Sequence, residues 1–455
     1  MLCAAVAATG ALLVSSPASA RKMNLQQLLD MARSNPGLQA SAAATSAMEA
    51  QVMEAKLNWL PQGDILSLLA PSPDIRCNTA PLGSGLPPPC LTTSSPEASL
   101  RNVSWTKVFT RTELKLIQPL YDFGKISAGV AAAEAGVGLS RQREAGARAD
   151  LELNIRKAYY GLKFAREVID MLEQGSSYVD EGTQKVEKDL ANGTGNVTVT
   201  DKLRLRTVRA ELDARILEAK RLQGLARESL RTLLGPDAPS EVEVDDDPFE
   251  PPDVKDRQVG YYEDLARVGR PEVRMLEYAV KAKNALADLE RRREYPDLVL
   301  IATAAFARAQ TVDDPNNAFM SHYFNSTSAG VAAALRMQLD LGPKIARARK
   351  TKHEAEEIEF RRSEALGGIL LDVRKTYGET TEALARVAAM EKGEKAGKAW
   401  ISAVAQNFAV GLAEARDLSD ALIAFFGMRT RYLQAVFDLN VARSALGRAT
   451  GSPEL

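Results

Sequence analysis

The chain is short of the residues that do most enzyme chemistry. Its 455 residues include two histidines, His322 and His353, and three cysteines. Neither histidine stands at a metal-ligand spacing, so no metal centre is expected. Serine, cysteine and aspartate form no nucleophile constellation. Gly193-Thr194-Gly195 is not followed by the Gly-Lys-Ser/Thr that a phosphate loop needs. These absences point away from an enzyme and from a bound cofactor. An excess of one charge is missing as well. The net charge is −1, which leaves no nucleic-acid partner to expect, because such a partner calls for a basic surplus. Aromatics make up only 6%, low for a conventional core and natural for helices packed through alanine and leucine. After residue 20 no run of about 18 apolar residues occurs, so no transmembrane helix is expected.

The first 20 residues are apolar and close on Ala18-Ser19-Ala20, the pattern of a signal peptide cleaved after residue 20. No Lys or Arg precedes the apolar run, so the true start codon is left open. Cys3 stands too early to be a lipidation cysteine. Cleavage leaves Cys77 and Cys90 in a Pro- and Ser-rich loop, and an oxidising compartment would let them form a disulfide.

What is present is two kinds of periodicity, joined end to end. Thr112, Leu114 and Leu116 alternate with Arg111, Glu113 and Lys115, a strand with one apolar and one wet face. After Pro119 and Gly124 the period changes. Ile155, Ala158, Leu162, Ala165, Ile169, Leu172, Val179, Val186 and Leu190 form a heptad seam, diluted only by Ser176 and Thr183. A strand feeding a helix of about 100 Å, at 1.5 Å per residue, is unusual, since ordinary globular helices are far shorter.

The pattern occurs twice. Residues 21–235 read as a helix, strands at about 62–119, a long helix at about 125–192 and a returning helix at about 201–234. An acidic, Pro-rich linker follows at 236–257, with a small irregular layer over Glu241 to Val254 as the alternative. Residues 258–455 repeat the order, with strands at about 297–341, a long helix at about 343–409 and a returning helix at about 417–450. Arg270-Pro271 answers Asn35-Pro36, and Tyr295-Pro296 answers Leu60-Pro61. Asp340-Leu341-Gly342 answers Asp122-Phe123-Gly124, Val373 to Tyr377 answers Ile155 to Tyr159, and Gly411 to Asp417 answers Gly195 to Asp201. Five matches in one order mark a tandem duplication.

Four strands with apolar rows suit a lipid-facing barrel wall, although a soluble half-buried sheet shows the same alternation. Strands cannot end in lipid with open edges, and bacterial barrels start at about eight strands, so four must be completed by other copies. Three chains would supply twelve strands. The long heptads likewise have no large partner domain in this chain and must pack on each other and on neighbouring copies, which makes a tube.

These residues resemble the outer-membrane efflux protein family, the TolC-like channels. The likeness covers essentially the whole mature chain. It rests on the duplicated order, on Gln118-Pro119-Leu120-Tyr121-Asp122-Phe123-Gly124-Lys125, on Val410-Gly411-Leu412 through Asp417-Leu418-Ser419-Asp420, and on Gly451 at the end of the returning helix. The resemblance implies a mainly α protein with a membrane β-barrel. It also implies a homotrimer whose twelve-stranded barrel lies in outer-membrane lipid of a Gram-negative cell, with a periplasmic tunnel of long antiparallel helices. It further implies a periplasmic adaptor protein and an inner-membrane pump as partners, in multidrug export or type I secretion, and it places the cysteine loop outside the cell. The competing reading is a soluble periplasmic coiled-coil adaptor or scaffold. That class carries compact β-rich flanks, which this chain lacks.

By the same resemblance, the turns at Gly195 and Gly411 are hairpin tips at the periplasmic end. Asp417 and Asp420 would narrow the tunnel there as rings of three carboxylates. Both also suit the first turn of a helix through its dipole, and that plainer role stays open. Thr200 and Asp201 match one side of the family's closing contacts. Phe408 stands where a tyrosine is usual and Ala413 where an arginine is, so neither can make the family's polar contact. Arg416 as a substitute, or a closed state held by other contacts, are the two options left.

Overall fold

A computed structural model describes residues 21–73, 103–193, 197–255, 257–312, 323–410 and 412–452. The signal peptide, Cys77, Cys90, Gly195, Gly411 and His322 lie outside the described residues. In the first half, β1 (Arg21–Met23), α1 (Leu25–Met31) and α2 (Pro36–Leu57) precede the strands β2 (Gln62–Pro73) and β3 (Val103–Tyr121). Helices α3 (Lys125–Asn192) and α4 (Val199–Leu234) and the short β4 (Val242–Val244) follow. The second half has α5 (Val259–Gly269), α6 (Pro271–Arg292), β5 (Asp297–Ala309), β6 (Ser326–Arg336), α7 (Leu341–Ala409) and α8 (Ala415–Thr450). The duplication is visible in the lengths. Helices α2 and α6 have 22 residues each, α3 and α7 have 68 and 69, and α4 and α8 have 36 each.

The chain divides into two units. One holds the described parts of Met1–Ser46, Gly138–Glu277 and Phe360–Leu455; the other holds Ala47–Val137 and Tyr278–Glu359. In the first unit the heptad seam of α3 is buried as its spacing predicts. Leu172, Val179 and Val186 pack with Leu205 and Leu212 of α4 and with Leu422, Leu433 and Leu439 of α8. Along α4 a heptad reading of the sequence runs through Leu205, Val208, Leu212, Ala219, Leu222, Ala226 and Leu233, and the buried face departs from that line. Leu222 is exposed, and Ile216, Leu230 and Leu234 are buried instead. A straight helix of 3.6 residues per turn drifts about 20° per heptad, so a fixed seven-residue reading loses the buried face over its length.

Element ends are set by caps. Asn24 accepts from the Gln27 amide while the Gln27 side chain accepts from the Asn24 amide, a complete capping box at the start of α1. Helix α4 begins at Val199, ahead of the expected 201, because Thr198 and Asp201 form the same box. Strand β6 ends at Arg336, before the expected 341. Asp340 there pairs with Lys344 at 3.3 Å, inside the first turn of α7.

The acidic segment after α4 is a packed layer. Strand β4 pairs in parallel with β1, Met23 opposite Val244, and three-residue strands carry no period a sequence reading could find. The acidic run after β4 is held by α3. Asp245 accepts from Tyr159 Oη at 2.8 Å and pairs with Lys163 Nζ at 2.5 Å, while Asp246 pairs with Arg166 at 3.1 Å and with Lys22. Burial raises the Asp245 carboxyl, but the hydrogen bonds from Lys163 and Tyr159 outweigh it and hold it below the usual carboxylate range. Burial and the same carboxylate push the Tyr159 phenol up.

A second ion cluster joins α8 to α6 and α3. Arg448, 11% exposed, pairs with Glu272 and with Asp150 at 2.7 Å. Burial raises the Glu272 carboxyl, yet the Arg448 hydrogen bond overrides it and depresses it. A depressed carboxylate contributes stability above its unfolded pKa, about 4.3, and that contribution disappears as pH falls through the lower folded value. Arg448→Met should therefore lower stability by about 2–3 kcal/mol at pH 7, somewhat less than a fully buried pair. It should also flatten the acid limb below about pH 4. Thermal unfolding followed by far-UV circular dichroism between pH 3 and 7 checks both. Parallel acid limbs in the two proteins would refute the linkage.

Candidate channel wall, junction and tip

Strands β2, β3, β5 and β6 form one antiparallel sheet in that order. Antiparallel partners share a face, so the register sorts the side chains. Ile65 faces Leu114, Leu114 faces Ala304, and Ala304 faces Ala329. Leu116, Ala302 and Val331 make the next row, and Leu298 and Leu335 a further one. The opposite face holds Asp64, Arg111, Glu113, Lys115, Thr303, Ser328 and Arg336. The apolar face is open: Ile65 is 74% and Leu335 72% exposed. Exposed apolar rows of this length are unfavourable in water and natural against hydrocarbon. The shortest strand, β6, has 11 residues, enough for a tilted transmembrane strand. The chain's own order leaves β2 and β6 as the sheet's edges.

The junction motif has a separate physical explanation for each residue. Pro119 has no amide to donate, and the register with β5 shifts between Pro119 and Tyr121. Phe123 and Gly124 both take positive φ, 54° and 79°, which turns the chain from strand to helix within two residues. The buried Asp122 carboxylate accepts from the amides of Gly124 and Ile126 at 3.0 and 2.5 Å, capping the start of α3. Lys125 donates to the Tyr295 carbonyl and pairs with Asp297, both at 2.6 Å. Gln118 donates to the Trp59 carbonyl at 2.6 Å. The Phe123 ring stacks on Tyr295 at 5.4 Å and meets Tyr121 edge-on at 4.7 Å, an aromatic cluster at the level where the sheet meets the helices.

At the hairpin tips the expected residues are spread among several local contacts. Asp201 accepts from the Thr198 amide at 2.9 Å and from its hydroxyl at 2.7 Å, and Thr200 is exposed. Asp417 accepts from the Glu414 amide at 3.2 Å, completing the capping box whose N-cap is Glu414 at the start of α8. Asp420 lies 3.8 Å from Arg416, one turn away, and both are exposed. Phe408 is buried in the main core cluster. Sequence reasoning missed Lys185. Its Nζ donates to the carbonyls of Phe408 and Ala409 at 2.5 and 2.9 Å and stands 4.7 Å over the Phe408 ring. That link joins α3 to the end of α7 across 223 positions, a distance at which the sequence carries no pairing signal.

A sheet with one lipid-suited face, joined in duplicate to helices of this length, defines the class of outer-membrane channel-tunnels. The outer membrane efflux protein model matches residues 98–236 and 263–452, and the chain belongs to that family. Among curated proteins it is similar to the alkaline protease secretion protein AprF of Pseudomonas aeruginosa, 24% identical over 73% of this chain and 68% of AprF. It is also similar to the cobalt-zinc-cadmium resistance protein CzcC of Cupriavidus metallidurans, 25% identical over 76% of this chain and 78% of CzcC. Among solved structures, the outer-membrane channel OprN superposes with a TM-score of 0.71 at 17% identity, covering 94% of this chain and 90% of OprN. The open-state MtrE channel of Neisseria gonorrhoeae gives 0.71 at 17%, covering 94% and 89%. The protein is thus an outer-membrane efflux channel that extends into the periplasm, with a barrel wall of four strands per protomer and a tandem repeat. The soluble adaptor or scaffold reading is set aside.

Proposed function

We propose that this chain is the passive channel subunit of a tripartite exporter. A homotrimer receives cargo from a periplasmic adaptor and an inner-membrane pump and conducts it outward without catalysis. The observation that carries this reading is the two-faced sheet with its own order ending on β2 and β6. Closing those edges with two further copies gives twelve strands, within the known range of bacterial barrels. Cargo could resemble that of either curated relative, one named for protease secretion and one for metal resistance.

The gate belongs to the same reading. Asp417 and Asp420 stand three apart in the first turns of α8, and a trimer would make two rings of three carboxylates that favour cations. Asp417→Ala with Asp420→Ala is expected to reduce cation preference in planar bilayers by about three- to ten-fold in permeability ratio, while Phe408→Ala leaves it largely intact. Unchanged selectivity in the double variant, with the trimer confirmed by light scattering in detergent, would remove the gate assignment. A monodisperse monomer with full β signal in lipid would remove the trimer.

A further inference from the structure

The sheet's charged face carries an aromatic cluster at the end away from the helices. Phe109 is buried, and by register it lies on the face of Arg111, Glu113 and Lys115, opposite Ala309 of β5 and Ala70 of β2. Two rings from the stretch before β6 fold onto it. Phe324 meets Phe109 edge-on at 5.2 Å, and Tyr323 lies 6.2 Å from Phe109 and 5.1 Å from Phe324. The Arg111 guanidinium sits 4.2 Å over the Tyr323 ring, donates to the Tyr323 carbonyl at 3.2 Å and pairs with Glu113 at 2.5 Å.

The segment is anchored, not draped. The Asn325 side chain accepts from the Ala309 amide at 2.8 Å and donates to the Val312 carbonyl at 2.7 Å. Thr311 donates to the Ser72 hydroxyl and is within reach of the Pro73 carbonyl, at 2.6 and 2.7 Å. Asn325, Thr311 and Ser72 are all buried. Aromatic rings stacked on a guanidinium add stabilisation beyond burial.

The consequence is geometric. If the apolar face meets lipid, the charged face meets the lumen. Twelve strands about 4.8 Å apart and tilted by about 40° close at a backbone radius of about 12 Å. A layer packed face to face on a sheet stands about 10 Å from it. Three such layers, one per protomer, would therefore approach the barrel axis. Resting on the trimer proposed above, we infer that Tyr323 and Phe324, held by Phe109 and Arg111, form an aromatic and cationic constriction at the outer mouth of the barrel and set the size limit for cargo there. Tyr323 is 58% exposed and lines the opening, while Phe109 and Asn325 hold the layer in place.

Single-channel conductance in planar bilayers, with neutral polymers of graded size added on the side of the strand loops, tests this. Tyr323→Ala with Phe324→Ala should admit larger polymers from that side and raise conductance, because a constriction at the mouth adds its own resistance in series with the tip and is the first one those polymers meet. Tyr323→Trp keeps the ring packing and should lower conductance. If the double variant fails to assemble, the tryptophan variant decides. Conductance and polymer cut-off equal to wild type in every variant that assembles would overturn the constriction and leave the channel reading intact. A wild-type protein that forms no pores would remove both.

Discussion

Replacing Gly451 by alanine is expected to destabilise the helical unit by about 2–4 kcal/mol, the sum of a left-handed backbone penalty and a forced backbone shift. Gly451 ends α8 at φ 72° and ψ 19°, and its amide donates to the carbonyls of Arg448 and Gly447. A methyl group there would stand 2.4 Å from the carbonyl carbon of Gly269 and 2.7 Å from the amide nitrogen of Arg270. Both are backbone atoms of the turn between α5 and α6, so no side chain can swing aside. Gly235 also ends its helix, α4, at a positive φ of 92° but with ψ −167°, and Asn35 and Pro36 are its close neighbours. In each repeat, then, a helix-ending glycine packs on the X-Pro turn that opens the 22-residue helix. Gly451→Asn separates the two contributions. Asparagine tolerates the left-handed region, so it should relieve the backbone strain and keep the overlap. Thermal unfolding by circular dichroism should find both variants less stable than wild type. An alanine variant within about 0.5 kcal/mol of wild type would show that the turn yields freely, as ordinary surface sites do.

Lys185→Met is expected to loosen the tip. Four carbonyls at the end of any helix lack intrahelical partners, and at the end of α7 the Lys185 ammonium takes two of them. Charge-assisted bonds of this kind contribute about 1.5–3 kcal/mol each, and removal should fray the last turn before the tip. Phe408 lacks the hydroxyl that the family resemblance would ask of its position; here its backbone oxygen and ring face hold the lysine. In planar bilayers the variant should show a larger or more fluctuating conductance, and a protease should nick the tip faster. Lys185→Arg, which keeps a cation and several donors, should stay near wild type. Equal conductance and equal cleavage half-life for Lys185→Met and wild type would dismiss the clasp while leaving the aspartate gate untouched.

Much of the fold was legible in one dimension because its elements repeat. Val179 and Val186 are buried as their heptad spacing requires, and Leu114 and Leu116 share the apolar face that their alternation assigns. The aspartates of the tip were legible only as residue types. The structure uses Asp417 and Asp201 to complete the capping boxes of Glu414 and Thr198, a role that needs only the three residues before each one. The acidic segment after β4 left a linker and a small layer equally open, because charge and proline describe a loop equally well whether it is solvated or packed. Tyr159 and Lys163, more than 80 positions away, make it a packed layer.

What the sequence determined by itself is therefore what local periodicity sets: the strands of the four-stranded sheet, the long helices and their duplication. Only the tertiary structure decided the contacts between remote positions. These are Lys185 on the Phe408 carbonyl, Gly451 against Gly269, β1 beside β4, and Tyr323 over Phe109 on the charged face. The reason is physical. A helix or strand declares its buried face through a repeat of 3.6 or 2 residues, whereas a single capping lysine, a glycine close approach or an aromatic cluster has no period. Each such contact exists only once the chain has brought its partners together.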